Sequence, residues 1–424
     1  MRILVDNSGY GLGNIGDVAM LQVAYHRLRE EFNDAEILIF TSNPVRLQKY
    51  CPGALPVPER IFYKGRSIWL GQWSIFGGLH RILPKSMLPR LRLWELILQA
   101  KCPRFSKNWI SWRFRKNKEV INGLTDFYDL ILTSDIVMAT GGGFVNDVFE
   151  KHAHVVLGTL SLAQTLKIPT YMFGQGIGPI ASPLLSRFAK KVLPLLNQLT
   201  LREVKSNNFF LDSLSLNKHK TLLTGDDAVE VSRNSTVKAV GKCIGVNLRM
   251  AKYSEVDEKY SEQIRNAVIS AKNIYKTTLI PLPISTDEPD SDILSLSKLF
   301  KGNLDVKLLN VNSAEQLSNS VSKCRVVITG SYHAGVFALS QGLQVVGLAK
   351  SQYYHNKFEG LADQFKNGCR IVDLSSPSLE NELKQAIAEA WEDTPIYRQS
   401  LLDSADYQIK LSKQAYHALA LWNE

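Results

Sequence analysis

The sequence predicts an α/β protein with two domains, each built around a parallel sheet. Short β-branched and aliphatic runs alternate with amphipathic helical stretches along most of the chain, which is typical of βαβ units. The length of 424 residues is enough for two or three domains with cores of their own. A polar stretch at 232–242 divides the alternating pattern into two series. Two Rossmann-like domains that face each other across a cleft are therefore expected.

The first series, residues 1–235, is predicted to form the N-terminal domain. Its predicted strands are Ile3–Asp6, Glu36–Thr41, Ile136–Thr140, Thr170–Gly174, Leu199–Arg202 and Thr221–Thr224. Its predicted helices are Val18–Phe32, Val155–Leu166, Leu184–Leu195 and Val204–Leu214. Strand and helix alternate here because a parallel strand needs a crossover connection to the next one.

The second series, residues 240–395, is predicted to form the C-terminal domain. Its predicted strands are Ile244–Leu248, Thr278–Leu282, Val306–Leu309, Val326–Thr329 and Val345–Leu348. Its predicted helices are Asp257–Tyr275, Ile293–Phe300, Ala314–Lys323, Ala334–Gln341 and Ser378–Glu392. A last helical stretch of about Tyr397–Leu421, within residues 396–424, is long enough to pack back on the first domain.

The composition excludes several classes of protein. Hydrophobic residues make up 45% of the chain and charged residues 21%, unlike a disordered or fibrous protein. No apolar run reaches the roughly 18 residues of a membrane-spanning helix, and the N-terminus enters a predicted strand without the features of a secretory signal. The five cysteines are scattered, which predicts free thiols rather than disulfides or a metal site. A cytoplasmic protein is expected.

A basic, tryptophan-rich helical insertion of about residues 59–118 interrupts the first domain. Residues 60–118 hold fourteen Lys or Arg, one acid and five of the seven tryptophans, a local charge of +13 in a chain of +10, so the rest sums to −3. Basic residues interleaved with tryptophan suit an anionic membrane surface or a charged glycan, and nucleic acid less well. The alternative is a helical insertion whose tryptophans pack on the domain.

Three glycine clusters follow strands of the first series. Gly11, Gly13 and Gly16 formally satisfy a dinucleotide-binding fingerprint, but no acid stands at the end of the second strand to bind a ribose. The other clusters are Gly141–Gly143 and the run from Gly174 to Pro179. Because the carboxyl ends of parallel strands share one edge, these loops predict a ligand site there, the alternative for the first being a tight turn capped by Asp17.

The second series carries a histidine between a strand and a helix. His333 lies in Thr329-Gly330-Ser331-Tyr332-His333, at a helix N-terminus where the dipole disfavours the imidazolium unless an anion offsets it. A histidine so placed suits proton exchange with an anionic substrate, and the alternative is a simple capping role. Lys357 follows the next strand and is predicted to reach the same edge.

Taken together, these motifs resemble those of the polysaccharide pyruvyl transferases. The likeness covers most of the chain: Gly13–Asp17, Gly141–Gly143, Gly174–Pro179, Leu201–Glu203 with Ser206, Gly225–Asp227, Gly245–Arg249, Ser331–Leu339 and the Lys357 region. The resemblance implies two Rossmann-like domains of the GT-B type. It also implies transfer of the enolpyruvyl unit of phosphoenolpyruvate to a sugar as a pyruvate ketal, with no other cofactor.

Site roles follow from this resemblance, with the second domain on the donor side and the first on the acceptor side. His333 is the expected general acid, and Asp17 a weaker candidate for the base. Expected donor-binding residues are Arg202, Arg249, Ser331, Tyr332 and Lys357. Expected acceptor-binding residues are Asn14, Gly16, Gly142, Gly143, Asn146 and Gln175. The expected partners are phosphoenolpyruvate, a saccharide or lipid-linked saccharide, and an anionic membrane surface through residues 60–118.

One departure from the family pattern keeps two alternatives open. The family often has arginine two positions before the histidine, and here that residue is Ser331. An arginine that would bind the donor's carboxylate or phosphate in a bidentate way is thus absent from that position. The alternatives are a GT-B glycosyltransferase that uses a nucleotide sugar and a non-catalytic saccharide-binding or assembly protein.

Overall fold

The structure is a computed structural model, and its description covers most of the chain. Described are residues 1–63, 66–69, 73–76, 82–206, 208–214, 216, 220–236, 239–249, 260–286, 291–300 and 311–421. The predicted strand Val306–Leu309 lies outside these residues, as do the first residues of the predicted helix Asp257–Tyr275. In the described part, no helix is long and apolar enough to cross a membrane.

Fifteen strands are described in chain order. They are β1 (Arg2–Asp6), β2 (Glu36–Ile39), β3 (Leu55–Pro56), β4 (Phe62–Tyr63), β5 (Arg66–Ser67), β6 (Ile136–Ala139), β7 (Gly142–Val145), β8 (Thr170–Ile177), β9 (Gln198–Leu201), β10 (Thr221–Leu223), β11 (Cys243–Asn247), β12 (Leu279–Pro281), β13 (Cys324–Thr329), β14 (Gln344–Ala349) and β15 (Cys369–Asp373).

Fifteen α-helices are described as well. They are α1 (Ile15–Glu31), α2 (Pro44–Tyr50), α3 (Leu88–Lys101), α4 (Pro103–Arg113), α5 (Lys118–Leu132), α6 (Glu150–Thr165), α7 (Pro183–Val192), α8 (Asn208–Asp212), α9 (Ala228–Asn234), α10 (Ser261–Ile274), α11 (Asp292–Leu299), α12 (Ala314–Val321), α13 (Tyr332–Ser340), α14 (Gln352–Phe365) and α15 (Leu379–Leu421).

The strands form two parallel sheets, which confirms the predicted fold class. The first has the order β10-β9-β8-β6-β1-β2-β3 with β7 beside β8, and the second has the order β12-β11-β13-β14-β15. The central strands β1, β6, β13 and β14 are buried on both faces, because helices cover both faces of a parallel sheet and successive side chains point to opposite sides. In β1, Ile3 and Val5 pack under α1, while Leu4 packs under α5 and α6. β4 and β5 form a separate antiparallel pair.

Two glycine clusters predicted as loops are strands instead. Gly142–Val145 is β7, and the predicted turn from Gly174 continues β8 to Ile177, with Gly142 paired to Gln175. Glycine allows this close approach: a Cβ on Gly141 would lie 2.6 Å from Met20 Sδ and 3.3 Å from the Gly174 carbonyl oxygen. The prediction was wrong because glycine marks tight backbone packing as well as turns.

The C-terminal helix differs from the prediction of two helices. α15 continues through Pro395, whose missing N–H leaves the Trp391 carbonyl without its helical partner. Arg325 Nε donates to that carbonyl at 2.8 Å, so the proline is tolerated. The end of α15 reaches the first domain, where the Tyr416 ring stacks on Phe173 with centroids 4.3 Å apart. Further elements that were not predicted are β3, β15, α2, α5, α9 and α14.

The insertion packs in part and is exposed in part. α3 and α4 lie on the first domain, with α3 against α6 and α7. Trp69 is buried against Gly158, where a Cβ would lie 1.8 Å from the indole. Trp73 packs edge-on against Phe114. By contrast, Trp94 on α3 and Trp112 on α4 are 69% and 63% exposed.

Candidate functional site

A cavity of about 340 Å³ lies between the carboxyl edges of the two sheets. Both domains contribute to its walls, as expected for a ligand site in an α/β protein. From the first domain the walls include Asn7, Ser8, Gly9, Gly11, Leu12, Gly13, Asn14, Asp17, Val18, Gly143, Phe144, Phe149 and Arg202. From the second they include Arg249, Ser285, Ser331, Tyr332, His333, Tyr353, Tyr354 and Lys357.

The first glycine loop joins the two domains beside this cavity. The Asn14 side chain caps α1 by accepting from the N–H groups of Gly16 and Asp17 at 3.0 and 3.3 Å. The Ile15 N–H donates to the Ile284 carbonyl at 2.9 Å, and the Thr286 N–H donates to the Gly13 carbonyl at 3.0 Å. Backbone hydrogen bonds between the domains therefore fix the loop that carries Asn14 and Asp17.

Two cations from different domains converge at Gly143. A Cβ on this glycine would lie 2.3 Å from Arg202 Nη2 and 3.2 Å from Lys357 Nζ. Arg202 follows β9, is only 1% exposed, and donates through Nη1 to Asp226 Oδ2 at 3.1 Å. Its guanidinium carbon lies 4.2 Å from the centroid of the Tyr332 ring. Glycine at 143 leaves the space that both cations occupy.

Lys357 on α14 lies among three tyrosine rings. Its ammonium nitrogen is 4.1 Å from the centroid of Tyr353, 5.6 Å from Tyr332 and 5.8 Å from Tyr354. Tyrosine faces attract a cation but do not neutralise it. Burial, and then the charge of Arg202, lower the pKa of Lys357 well below its usual value. An anion in the cavity would reverse this destabilisation of the ammonium.

Arg249 is a third cation on the cavity wall. It follows β11 and donates through Nη1 to Asp292 Oδ1 at 2.9 Å. The other Asp292 oxygen accepts from the Ile284 N–H and from Asn247 Nδ2, each at 2.9 Å. The buried carboxylate of Asp292 thus fixes Arg249 and the loop at Ile284 together.

His333 lies in the first turn of α13 and packs on the first turn of α1. A Cβ on Gly16 would lie 2.1 Å from His333 Cγ, so only glycine leaves room for the imidazole. His333 Nε2 is 3.7 Å from Asp226 Oδ2. Burial, followed by the charges of Arg202, Lys357 and Arg249, lowers the pKa of His333 well below its usual value. The imidazole is therefore neutral at pH 7 unless an anion binds beside it.

Asp17 is the one acid among the described residues of the cavity wall. Burial raises its pKa above the usual range, while a hydrogen bond from Ser8 and the charges of the three cations oppose that rise. A carboxylate with a raised pKa is a better base than an ordinary aspartate.

Four of the six predicted acceptor-binding residues are not on the cavity wall. Asn14 and Gly143 line the cavity, whereas Gly16 lies beneath His333 and Gly142 packs beside Phe144. The Asn146 amide is bonded to the backbone of Gly143 and Phe149. The Gln175 amide donates to the Thr140 and Phe173 carbonyls at 2.6 and 3.0 Å. The side chains of Asn146 and Gln175 therefore stabilise backbone segments near the cavity. By contrast, His333, Asp17 and all five predicted donor-binding residues line it.

Several residues of the site were missed at the level of sequence. Tyr353 and Tyr354 surround Lys357, and Asn7 and Ser8 line the cavity. Asp226 accepts a hydrogen bond from Arg202, and its Oδ2 lies 3.7 Å from His333 Nε2. The signal for Asp226 was its place in the shared Gly225–Asp227 run. A tyrosine pair gives no such signal, since aromatic residues more often fill a core.

Comparison with solved structures shows the fold. UDP-GlcNAc 2-epimerase from Neisseria meningitidis, solved with UDP-GlcNAc, is similar with a TM-score of 0.60 and 13% identity over 100% of both chains. Staphylococcus aureus MnaA, solved with UDP, gives 0.57 and 11% identity over 97% of this chain and 94% of that one. Arabidopsis thaliana UGT89C1, solved with quercetin, gives 0.54 and 11% over 99% and 98%. The chain thus has a GT-B-like fold.

Comparison of sequences shows the family. The amylovoran biosynthesis protein AmsJ of Erwinia amylovora is 25% identical over 243 residues, which are 57% of this chain and 51% of that protein. The alignment thus spans about half the length of this curated relative. The family model described as polysaccharide pyruvyl transferase matches residues 14–351, a range that includes much of the cavity wall. The chain belongs to the polysaccharide pyruvyl transferase family.

Proposed function

We propose that this protein transfers the enolpyruvyl unit of phosphoenolpyruvate to a saccharide and forms a pyruvate ketal. The convergence of Arg202 and Lys357 at Gly143 carries the proposal. With Arg249 they give the described cavity wall three cations against one acid, Asp17. Like charges held this close favour a ligand with more than one anionic group. Phosphoenolpyruvate offers a carboxylate and a phosphate, and Arg202 and Lys357 provide the cationic contacts that the serine at 331 cannot.

The chemistry needs a proton at one carbon of the donor and two hydroxyls of the acceptor. Protonation of the methylene carbon makes C2 electrophilic, and a first sugar hydroxyl adds there and loses its proton. A second hydroxyl then displaces phosphate, and its proton leaves with the phosphate, which completes the ketal. His333 supplies the first proton and Asp17 accepts a hydroxyl proton. Burial and then the neighbouring cations lower the pKa of His333, so a bound anionic donor, which offsets the cations, raises it and favours the acid form.

The acceptor is proposed to be a precursor of a surface or exported polysaccharide. The similarity to an amylovoran biosynthesis protein supports this class of acceptor. Asn14 and Gly143, together with Asn7 and Ser8, provide amide, hydroxyl and backbone groups on the first-domain wall. Such groups suit hydrogen bonding to sugar hydroxyls. The donor brings its own leaving group, so the proposal requires no resident cofactor or metal.

Donor binding is the first test of this proposal. Because a ligand that binds only the folded state raises its stability, phosphoenolpyruvate should raise the melting temperature in a concentration-dependent way. UDP-GlcNAc at the same concentrations should have no such effect. Release of inorganic phosphate that depends on both phosphoenolpyruvate and a saccharide acceptor would then establish transfer. A shift with the nucleotide sugar alone would favour a glycosyltransferase, and a shift with neither would favour a non-catalytic protein.

Replacement of Lys357 by alanine should raise the KM for phosphoenolpyruvate by about tenfold or more, since a charge-assisted hydrogen bond contributes about 1.5–3 kcal/mol. The effect should fall on donor KM because Lys357 is assigned to binding rather than to proton transfer. Initial rates over a range of donor concentrations give this value. Lys205→Ala is the matched control, because Lys205 is partly exposed and pairs with Asp363 at 3.2 Å. Equal KM values in both variants would contradict the assignment.

We further propose that the basic insertion docks the protein on an anionic membrane that presents a lipid-linked acceptor. Trp94 shares the exposed face of α3 with Arg90, four residues earlier, and Met87, the residue that precedes the helix, is exposed seven residues before Trp94. On α4, Trp112 shares the exposed face with Arg104, eight residues earlier. An exposed tryptophan flanked by basic residues suits the boundary between headgroups and acyl chains.

The one acid of residues 60–118 does not offset this charge at the surface. Glu95 is buried, and it accepts from Ser74 Oγ at 2.6 Å and from Arg92 Nη1 at 3.0 Å. The exposed charge of α3 and α4 is therefore positive. Each Lys or Arg near an anionic bilayer contributes about 1 kcal/mol, so three to five contacts give measurable binding.

The protein should sediment with acidic liposomes at low salt and be released as salt rises, because salt screens exposed charges. A triple variant with Lys85, Arg90 and Arg104 replaced by serine should lose most of this binding. Two other basic residues of the insertion are left unchanged. Arg92 is bonded to buried Glu95, and Arg81 lies outside the described residues.

A second triple variant provides the control for this experiment. It replaces Lys298, Lys366 and Lys410 by serine, which removes the same charge from other parts of the chain. This variant should bind acidic liposomes like the unmodified protein. Equal losses in the two variants, or equal binding to neutral liposomes, would contradict docking through the insertion.

A further inference from the structure

Asp226 lies behind the cavity, between Arg202, a proposed donor-binding residue, and His333, the proposed general acid. Its Oδ2 accepts from Arg202 Nη1 at 3.1 Å and is 3.7 Å from His333 Nε2. Its Oδ1 accepts from the N–H of Ala228, the first residue of α9, at 2.9 Å. The carboxylate is buried and is absent from the cavity wall. It therefore acts on a ligand only through its neighbours.

The His333 ring is held so that one nitrogen faces Asp226. Nε2 is buried and has no hydrogen-bond partner among the described residues. Gly16 lies against the ring, and a Cβ on this glycine would be only 2.2 Å from Nδ1, so the ring has little freedom to turn. A buried nitrogen without a partner is costly, and hydrogen bonds of a catalytic histidine are often long until the ligand binds. A small shift of the ring would close the gap to Asp226.

We propose that Asp226 is a positioning residue for His333. Its carboxylate accepts the proton of Nε2, selects the tautomer in which Nδ1 carries no proton, and holds the ring in one orientation on the cavity wall. The carboxylate also stabilises the imidazolium that forms when Nδ1 takes up a proton. Arg202 fixes the carboxylate itself and so couples donor binding to the orientation of the histidine. The role of Asp226 in the reaction rests on the proposed function. The arrangement of Asp226, Arg202 and His333 does not.

The surrounding charges are consistent with this role. Burial, and then the charges of Arg202, Lys357 and Arg249, disfavour the imidazolium of His333, whereas the carboxylate of Asp226 lies 3.7 Å from Nε2. Burial raises the pKa of Asp226 to about 6, with Arg202 opposing the rise and Asp227 adding to it. Asp17 acts on the same cations from the cavity wall. Asp226 is thus an anion above about pH 6, where it can hold the imidazole.

The test compares two adjacent aspartates. Asp226→Asn keeps the size of the side chain and removes its charge, and it should lower kcat on the order of 10²-fold or more. The KM for phosphoenolpyruvate should stay within about threefold, because the positive donor pocket is kept. In the control Asp227→Asn, the lost contacts are those to Arg27, Ser412 and Tyr416. That variant should lower the melting temperature and leave kcat nearly unchanged.

The tautomer of His333 gives a second readout that needs no substrate. In ¹⁵N-labelled protein, the imidazole nitrogens of His333, assigned with the His333→Ala variant, should show Nε2 protonated and Nδ1 unprotonated at pH 7. Asp226→Asn should shift this equilibrium, and Asp227→Asn should not. Protonation at Nδ1 in the unmodified protein, or full kcat in Asp226→Asn, would overturn the inference. An expected tautomer without any turnover of phosphoenolpyruvate would instead count against the proposed function alone.

Discussion

Replacement of His333 by alanine is expected to lower kcat for ketal formation by about 10²–10⁴-fold, the usual contribution of general acid catalysis. The reason is that no other described side chain with an ordinary pKa near neutrality lines the cavity. Donor KM should change little, since the cations that bind phosphoenolpyruvate are kept. Phosphate release under saturating donor and acceptor measures the loss.

The control for this variant is another histidine of the same domain. His355 lies on α14, is partly exposed and is 3.7 Å from Asp373, and it is absent from the cavity wall. His355→Ala should keep full activity. The melting temperatures of both variants should stay within a few degrees of the unmodified protein. Equal turnover in His333→Ala and the unmodified protein would remove His333 from the mechanism.

Replacement of Arg202 by alanine is expected to destabilise the fold by about 3–5 kcal/mol, because it leaves the buried carboxylate of Asp226 unpaired. It should also abolish measurable donor binding. Both effects follow from the loss of one guanidinium, because it pairs with Asp226 and also lines the cavity. Denaturant unfolding measures the first effect and the thermal shift with phosphoenolpyruvate measures the second.

The pH dependence of this loss follows from the sign of the Asp226 shift. Its pKa is raised to about 6 in the folded protein although Arg202 opposes the rise, so removing Arg202 raises it further. At pH 5 the carboxyl is protonated in the variant, and no unpaired charge is buried. At pH 8 the carboxyl must either ionise without a partner or take up a proton from a dilute solution. The replacement of Arg202 should therefore lower the free energy of unfolding more at pH 8 than at pH 5.

A double variant checks the cause. Asp226→Asn added to Arg202→Ala removes the charge that the single variant leaves unpaired, and it should recover part of the lost stability at pH 8. Donor binding should stay lost. If the double variant were less stable than Arg202→Ala by the full effect of Asp226→Asn alone, the two side chains would be energetically independent, in conflict with the ion pair.

Local sequence patterns determined the fold class of this protein. Strand and helix periods are properties of neighbouring residues, and they predicted two series of βαβ units. The rule that parallel strands bring their carboxyl ends to one edge then predicted that His333 and Lys357 share the edge of one sheet and that the glycine clusters share the edge of the other. The same patterns misplaced β7 and the end of β8, because a run of glycines looks alike in a turn and in a closely packed strand.

Only the tertiary structure decided how the site is assembled. The meeting of Arg202 and Lys357 at Gly143, and of His333 with Asp226 above Gly16, depends on strand order and on how the two domains close. These residues lie far apart in the chain, so no local pattern encodes their distances. The same holds for the continuation of α15 through Pro395, which a hydrogen bond from Arg325 in a distant strand makes possible. The sequence alone therefore predicted candidate residues such as His333, Arg202 and Lys357, and long-range packing decided which of them lie together at the cavity.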